Sequence, residues 1–219
     1  KGLLEAGVPN LAQLLDIVCL GTVADLVPLD KNNRILVAQG LLRIRAKKCC
    51  PGIIALLELS QCEPAHICAG DISFKLAPKL NAAGRLADMR VGVEALLTDS
   101  YDMAMNKVQE LVGLNTERMQ IQYDMIEQGV DLVAQEKSKV SGICLFHPEW
   151  HQGVIGILAS KMKERFYKPA VIFALDDDGV SIKGSARSIE GINIREVFAK
   201  ISSDNPGVLV KFGGHAMAA

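Results

Sequence analysis

The sequence predicts an α/β protein in which a mostly helical first part is joined by a long helix to a domain of alternating strands and helices. Three observations predict it. Apolar residues recur at helical spacing between capping residues over 11–59, residues 101–135 contain no proline, and beyond residue 140 short apolar runs alternate between strand and helix character. At 219 residues the chain is long enough to bury a substantial core. With 49% hydrophobic and 22% charged residues and a mean hydropathy of +0.21, the composition is globular and not disordered. No apolar run approaches the ~18 residues needed to cross a bilayer. The start, Lys1 to Glu5, lacks a methionine and a signal-peptide pattern, so the sequence reads as the middle of a longer protein.

The elements follow in order. Asn10 is placed to cap a helix over 11–27 that Pro28 ends, and Asn32 or Asn33 to cap a second helix through Ile44. Pro51 opens a third through Leu59. Residues 76–92 contain Pro78, Gly84 and Gly92 and read as a loop or broken helix. Over 101–135 the residues Tyr101, Met105, Val108, Val112, Met119, Ile126, Val130 and Val133 recur at three, four or seven, with Asp99 and Ser100 as candidate caps. The reading is one strut of ~50 Å, or else a hairpin broken near Gly113. Val140–Phe146 and Ala170–Leu175 read as strands and Gly153–Phe166 as a helix; Asp176–Gly179 is a turn leading to a strand through Arg187, and a helix starts at Asn193.

Six cysteines show no Cys-x-x-Cys spacing, and Cys62, His66 and Cys68 make a poor zinc site. Buried or idle thiols fit a reducing cytoplasm. The net charge of -1 divides unevenly. Residues 1–136 hold 13 Lys/Arg against 17 Asp/Glu, whereas residues 137–219 hold 11 against 8, so the second part suits an anionic ligand.

Within it, alternation along Lys183-Gly184-Ser185-Ala186-Arg187-Ser188 puts Lys183, Ser185 and Arg187 on one face of a strand. Two cations and a hydroxyl in a row form a phosphate rail, with small residues opposite that let a ligand approach; a solvated edge strand is the alternative. Gly213-Gly214-His215 before an alanine-rich segment reads as a tight loop feeding a helix whose N-terminus favours an anion, with His215 beside it, or as a mere glycine turn. His147 and His151 lack the metalloprotease pattern because Pro148 stands where Glu is required, and His151 belongs instead to a loop before a helix. Trp150 reads as a base-stacking ring or as core. Asp25 is a helix-end carboxylate or a metal ligand, and one carboxylate does not hold a catalytic metal.

Six segments together resemble the RecJ exonuclease family of the DHH phosphoesterase superfamily: LDIVCLGTVADLVPLDKNNRILVAQGL (15–41), LAPKLNAAGRL (76–86), GVEALLT (92–98), HPEWHQGVIGILASKMKERF (147–166), KGSARSIEGINI (183–194) and KFGGHAMAA (211–219). The resemblance implies a fragment of a 5′-to-3′ exonuclease that hydrolyses single-stranded DNA with two Mg²⁺ or Mn²⁺ ions, in DNA repair and recombination. It implies the end of a DHH catalytic domain over 1–98, a connecting helix over 99–136 and a DHHA1 domain over 137–219. Asp25 then matches the last metal aspartate. Arg85, with Asn81, matches a phosphate grip near the active site. Lys183, Ser185, Arg187 and Ser188 match the phosphate-binding strand, Gly213, Gly214 and His215 the DHHA1 signature, and His151 a further contact. The family's other metal motifs would lie upstream of Lys1, so the fragment is expected to bind DNA phosphates and to be inactive alone. Lys79 stands where the family leads one to expect arginine. A helicase or a single-strand-binding protein is an expected partner, and a membrane is not. Rival readings are a related enzyme acting on oligoribonucleotides or nucleotide phosphates, and a non-catalytic nucleic-acid-binding or protein-interaction module.

Overall fold

A computed structural model describes residues 10–136 and 141–219; the expected start of the first strand at Val140 lies outside them. Packing divides the chain into two compact units, Lys1–Thr116 and Glu117–Ala219.

In the first unit Asn10 caps a 3-10 turn, Leu11–Leu14, by accepting the Ala12 N–H at 3.1 Å, and α1 (Leu15–Ala24) follows. The helix stops short of Pro28 because Leu26 takes a left-handed φ of 52°. Asp30, and neither Asn32 nor Asn33, caps α2 (Lys31–Arg45): its carboxylate accepts the Asn33 N–H at 2.8 Å. The Asn33 side chain donates backwards to the Pro28 carbonyl instead. Where α1 and α2 cross, Gly40 supplies no side chain, and a Cβ there would run into the Leu15 carbonyl and Cys19. Pro51 opens α3 (Pro51–Leu59), where its missing N–H costs nothing.

A 3-10 turn, Pro64–His66, and one turn of helix, α4 (Ala69–Asp71), lead into π-helical Ile72–Leu76, then α5 (Ala77–Leu86) and α6 (Arg90–Leu97). Most of the stretch expected as a loop or broken helix is therefore helical, with its one break between Leu86 and Arg90. Proline sets the π step. Pro78 has no N–H to give the Phe74 carbonyl, the ladder slips, and the Ala77 N–H bonds Ile72 five residues back. Leu20, Ile44, Ile53, Leu56, Ile72, Leu76, Val108 and Leu111 form the core of this unit.

Helix α7 (Tyr101–Gln135) runs 35 residues without a break at Gly113, and the Ser100 Oγ caps it by accepting the Met103 N–H at 3.3 Å. The division between the units falls inside it. Its buried positions are Ala104, Val108 and Leu111 near one end and Met125 and Gly129 near the other, whereas Tyr101 and Met119 from the expected stripe are exposed. No residue between Val112 and Asp124 is buried. That middle is stitched by side-chain hydrogen bonds one turn apart, Arg118 to Gln122 at 2.9 Å and Gln120 to Asp124 at 2.9 Å.

The second unit is built on a mixed three-stranded sheet in the order β1-β2-β3. β1 (Ile143–Phe146) lies parallel to β2 (Ala170–Leu175), with α8 (Ile155–Phe166) in the connection, and β3 (Ile182–Arg187) runs antiparallel to β2. Asn193 caps α9 (Ile194–Asp204). The sheet face that carries Ile143, Ala170, Ile172 and Ala174 is buried, together with Leu158, Ala159 and Met162 of α8. Together with the first unit this is the expected α/β architecture. Among the described residues no helix is long and apolar enough to cross a membrane.

Candidate phosphate-binding site

Antiparallel register decides where the strand residues point. Lys183, Ser185 and Arg187 pair with Ala174, Ile172 and Ala170, and directly opposed residues share a face. All three therefore lie on the face that α8 covers, which is what the alternation predicted, but the surface is not an open one. Lys183 is exposed, while Ser185 and Arg187 are half-buried. The first turn of α8 abuts them at Gly156, where a Cβ would stand 3.1 Å from the Ser185 Oγ and 3.4 Å from an Arg187 guanidinium nitrogen. Any longer side chain at 156 would fill the space between the helix start and these two groups.

The guanidinium is held along its own strand. One terminal nitrogen of Arg187 donates to the Ser185 Oγ at 3.3 Å and to the Ala186 carbonyl at 2.8 Å. Ser185 accepts that bond and keeps its O–H for another partner. The Ile157 and Leu158 N–H groups already bond the Val154 carbonyl, so the Ile155 and Gly156 N–H groups at the positive end of α8 are the ones left for an anion. A hydroxyl, a guanidinium and a helix start thus gather round one small cradle, a donor set suited to an anion.

The loop before α8 adds to it. His151 accepts the Gly153 N–H on Nδ1 at 3.0 Å, which leaves Nε2 as the donor of the ring in its neutral tautomer. The Gln152 Oε1 accepts a bond from the Lys183 ammonium at 3.2 Å, and the Gln152 amide nitrogen donates to Asp177 in the β2–β3 turn. Gln152 and Gly156 are the neighbours that sequence reasoning missed. Both lie in the His-Gln-Gly-Val-Ile-Gly run, where position 156 falls on the helix face turned to β3, a signal visible only once the strand is placed.

Gly213-Gly214-His215 does not feed a helix. The segment folds back on itself, with the His215 N–H donating to Ala218 at 2.7 Å, and pairs with the free edge of β3. The Ala186 N–H donates to the Ala219 carbonyl at 2.7 Å, and the Ser188 N–H to Met217 at 2.9 Å. Gly214 takes φ 138°, and a Cβ there would run into the Ala218 carbonyl, so this turn needs glycine. Phe212 rests edge-on against Phe198 of α9, ring centroids 6.3 Å apart, and anchors the start of the loop. His215 is exposed and is linked to Arg187 through their common bridge partner, Ala218. The structure thus brings Ser185 and Arg187 together at the start of α8, ties Lys183 through Gln152 to the loop that carries His151, and pairs the segment of His215 with the same strand.

Ser188 stands apart. It is 1% exposed and its hydroxyl donates to the Ile192 carbonyl at 2.7 Å, so it fixes the turn after β3. The small residues opposite the rail serve packing and do not make room for a ligand: Gly184 lies under Phe173, whose ring would be 2.5 Å from a Cβ, and Ala186 is buried. Trp150 is core, with its indole N–H donating to Gln128 of α7 at 2.7 Å.

In the first unit Asp25 is exposed at the C-terminal end of α1, and Asn81 and Arg85 share one exposed face of α5, one turn apart. Among the described residues no group of three or more His, Cys, Asp or Glu could hold a metal ion, which covers Cys62, His66 and Cys68 as well. Burial pushes the Cys19 thiol up to about 11 and Cys49 up to about 12, with the Asp16 charge adding to both, so these thiols stay protonated and unreactive.

Residues 137–219 match the DHHA1 domain family. The whole chain is 52% identical to the single-stranded-DNA-specific exonuclease RecJ of Dickeya dadantii, of which it spans 38%. It is 51% identical to that of Escherichia coli, over 97% of this chain and 37% of that protein. Among solved structures, RecJ from Thermus thermophilus in complex with Mg²⁺ superimposes on 97% of the chain with a TM-score of 0.83 at 33% identity, and 32% of that protein is covered. The chain therefore spans under two fifths of the length of these relatives.

Proposed function

Because the chain belongs to the RecJ family, we propose that its second unit grips the phosphates of single-stranded DNA for a 5′-to-3′ exonuclease, and that the 219 residues alone do not hydrolyse DNA. The observation that carries the binding reading is the cradle at Gly156, where Ser185, Arg187 and the start of α8 converge. Arg187 supplies a forked cation, Ser185 a hydroxyl donor, and Lys183 an ammonium further along the strand. His151, in the loop before α8, and His215, on the segment paired with β3, would add imidazole donors. These groups read phosphate and not base, so binding is expected to be indifferent to sequence and steeply dependent on salt.

For the whole protein we propose a divalent metal, Mg²⁺ or Mn²⁺, in keeping with the solved relatives. The residues present do not fit such a centre by themselves. Asp25 is one exposed carboxylate with no ligand cluster around it among the described residues, and two-metal hydrolysis needs several ligands. No step of the reaction is assigned to this chain, whose proposed share is to hold the strand.

Arg187→Ala tests the reading directly. Binding of a fluorescent oligothymidylate should weaken, and the slope of log affinity against log salt should fall by ~0.7, the counterion release expected of one single-strand phosphate contact. An unchanged slope removes Arg187, and with it the cradle, from the DNA site.

A further inference from the structure

We infer that Gln152 is a positioning residue that holds the Lys183 ammonium at the mouth of the phosphate cradle; the inference rests on the DNA-binding reading and deepens it. Lysine carries four rotatable bonds and loses conformational freedom when it is fixed, so an unrestrained Lys183 on an exposed strand position would meet a phosphate at full entropic cost. Here it is restrained. Its ammonium donates to the Gln152 Oε1 at 3.2 Å, which leaves two further N–H donors for a ligand.

What makes Gln152 suited to this is the third member of the chain. A carboxylate only accepts hydrogen bonds and an ammonium only donates them, so an amide placed between the two has one satisfactory orientation. Asp177 takes the Gln152 amide N–H, and that choice turns the carbonyl oxygen towards Lys183. Asp177 itself sits in the turn between β2 and β3, where Gly179 closes the reversal at φ 66° and the Gly179 N–H donates to the Asp176 carbonyl at 2.9 Å. Of the three aspartates in that turn, Asp178 is occupied with the backbone N–H groups of Val180 and Ser181 and the Ser181 hydroxyl. Asp177 is the one that reaches the loop before α8. The outcome is a bridge in which the β2–β3 turn, the α8 entry loop and the exposed cation of β3 are tied through one half-buried amide, immediately beside His151.

The test is a double-mutant cycle on the 219-residue chain with a fluorescent oligothymidylate. Gln152→Met keeps the length of the side chain and removes both hydrogen bonds. It should weaken binding about three- to tenfold, the range set by re-ordering one long side chain on association, and lower the salt slope towards that of Lys183→Ala. In the Lys183→Ala background the same change should do nothing further, and the thermal midpoint of each variant serves as the folding control. Equal weakening in both backgrounds overturns the inference, because Gln152 would then act without Lys183. Full affinity in Gln152→Met alongside loss in Lys183→Ala overturns it while sparing the cradle. If Lys183→Ala itself leaves affinity and slope untouched, Lys183 leaves the DNA site and the inference falls with it.

Discussion

The Asp16 side chain is buried at 2% exposure, and one of its oxygens accepts the N–H of Cys50, the residue that caps α3, at 2.8 Å. The carboxylate thus does from a distance what a capping side chain would do locally, and it faces the positive end of the helix. Replacing it with alanine leaves the half-buried Cys50 N–H without its acceptor, which costs roughly 1 kcal/mol, the net worth of one hydrogen bond. Urea denaturation of Asp16→Ala should show a loss of that size with the slope unchanged; a shift within error would make the contact incidental. Nothing in the sequence announces this role, because 34 residues separate the partners. Start signals that act on their own helix are readable, the caps Asn10 and Asn193 and the opening proline Pro51 among them. Asp30 is harder to pick out from the asparagines after it, since three neighbouring residues all have capping chemistry and only the geometry chooses between them.

At the level of elements the helical stretch from Ala69 to Leu86 shows what local pattern hides. Pro78 and Gly84 suggest interruption, yet the chain absorbs the proline with a π step and stays helical. Its start is held by Asp71, which accepts bonds from the Lys75 ammonium, at 2.7 Å, and from the Cys68 thiol and N–H. The Lys75 bond foremost, then those from Cys68, lower the Asp71 carboxyl to about 2. A carboxylate depressed by folding adds stability that is present above its unfolded value of ~4 and is lost as the pH falls towards 2. The thermal midpoint should therefore decline over that interval, and Asp71→Asn should flatten this part of the profile; an identical profile would remove Asp71 from the acid response. Strand β3 teaches the complementary lesson. Its alternation is legible, whereas the partners on either side of it, Phe173 over Gly184 and residues 216–219 along its free edge, come from segments far away in sequence. That is why the final glycines suggest a helix start from local pattern and turn into a strand pairing in the fold.

For the molecule as a whole, the proposed role of holding the strand without cutting it yields a sharp expectation. With Mg²⁺ or Mn²⁺ supplied, the purified 219-residue chain should bind single-stranded DNA and release no nucleotides above a contaminant control; turnover that tracks the protein through purification would refute it. The fold class and the cations of the second unit can be read from sequence because amphipathic spacing and strand alternation are local. The cradle cannot. Its donors come from β3 and from the start of α8, and only the sheet register and the missing side chain at Gly156 bring them within reach of one anion.

Trp150 has a practical bearing as the chain's one tryptophan, buried and hydrogen-bonded to Gln128 beside the His151 loop. Its emission is an optical reporter of the unit Glu117–Ala219 alone, and the other unit is dark at that wavelength. Fluorescence thus watches one portion of the polypeptide while far-ultraviolet ellipticity on the same sample follows the helices of both, and any lag between the two signals separates their losses in time.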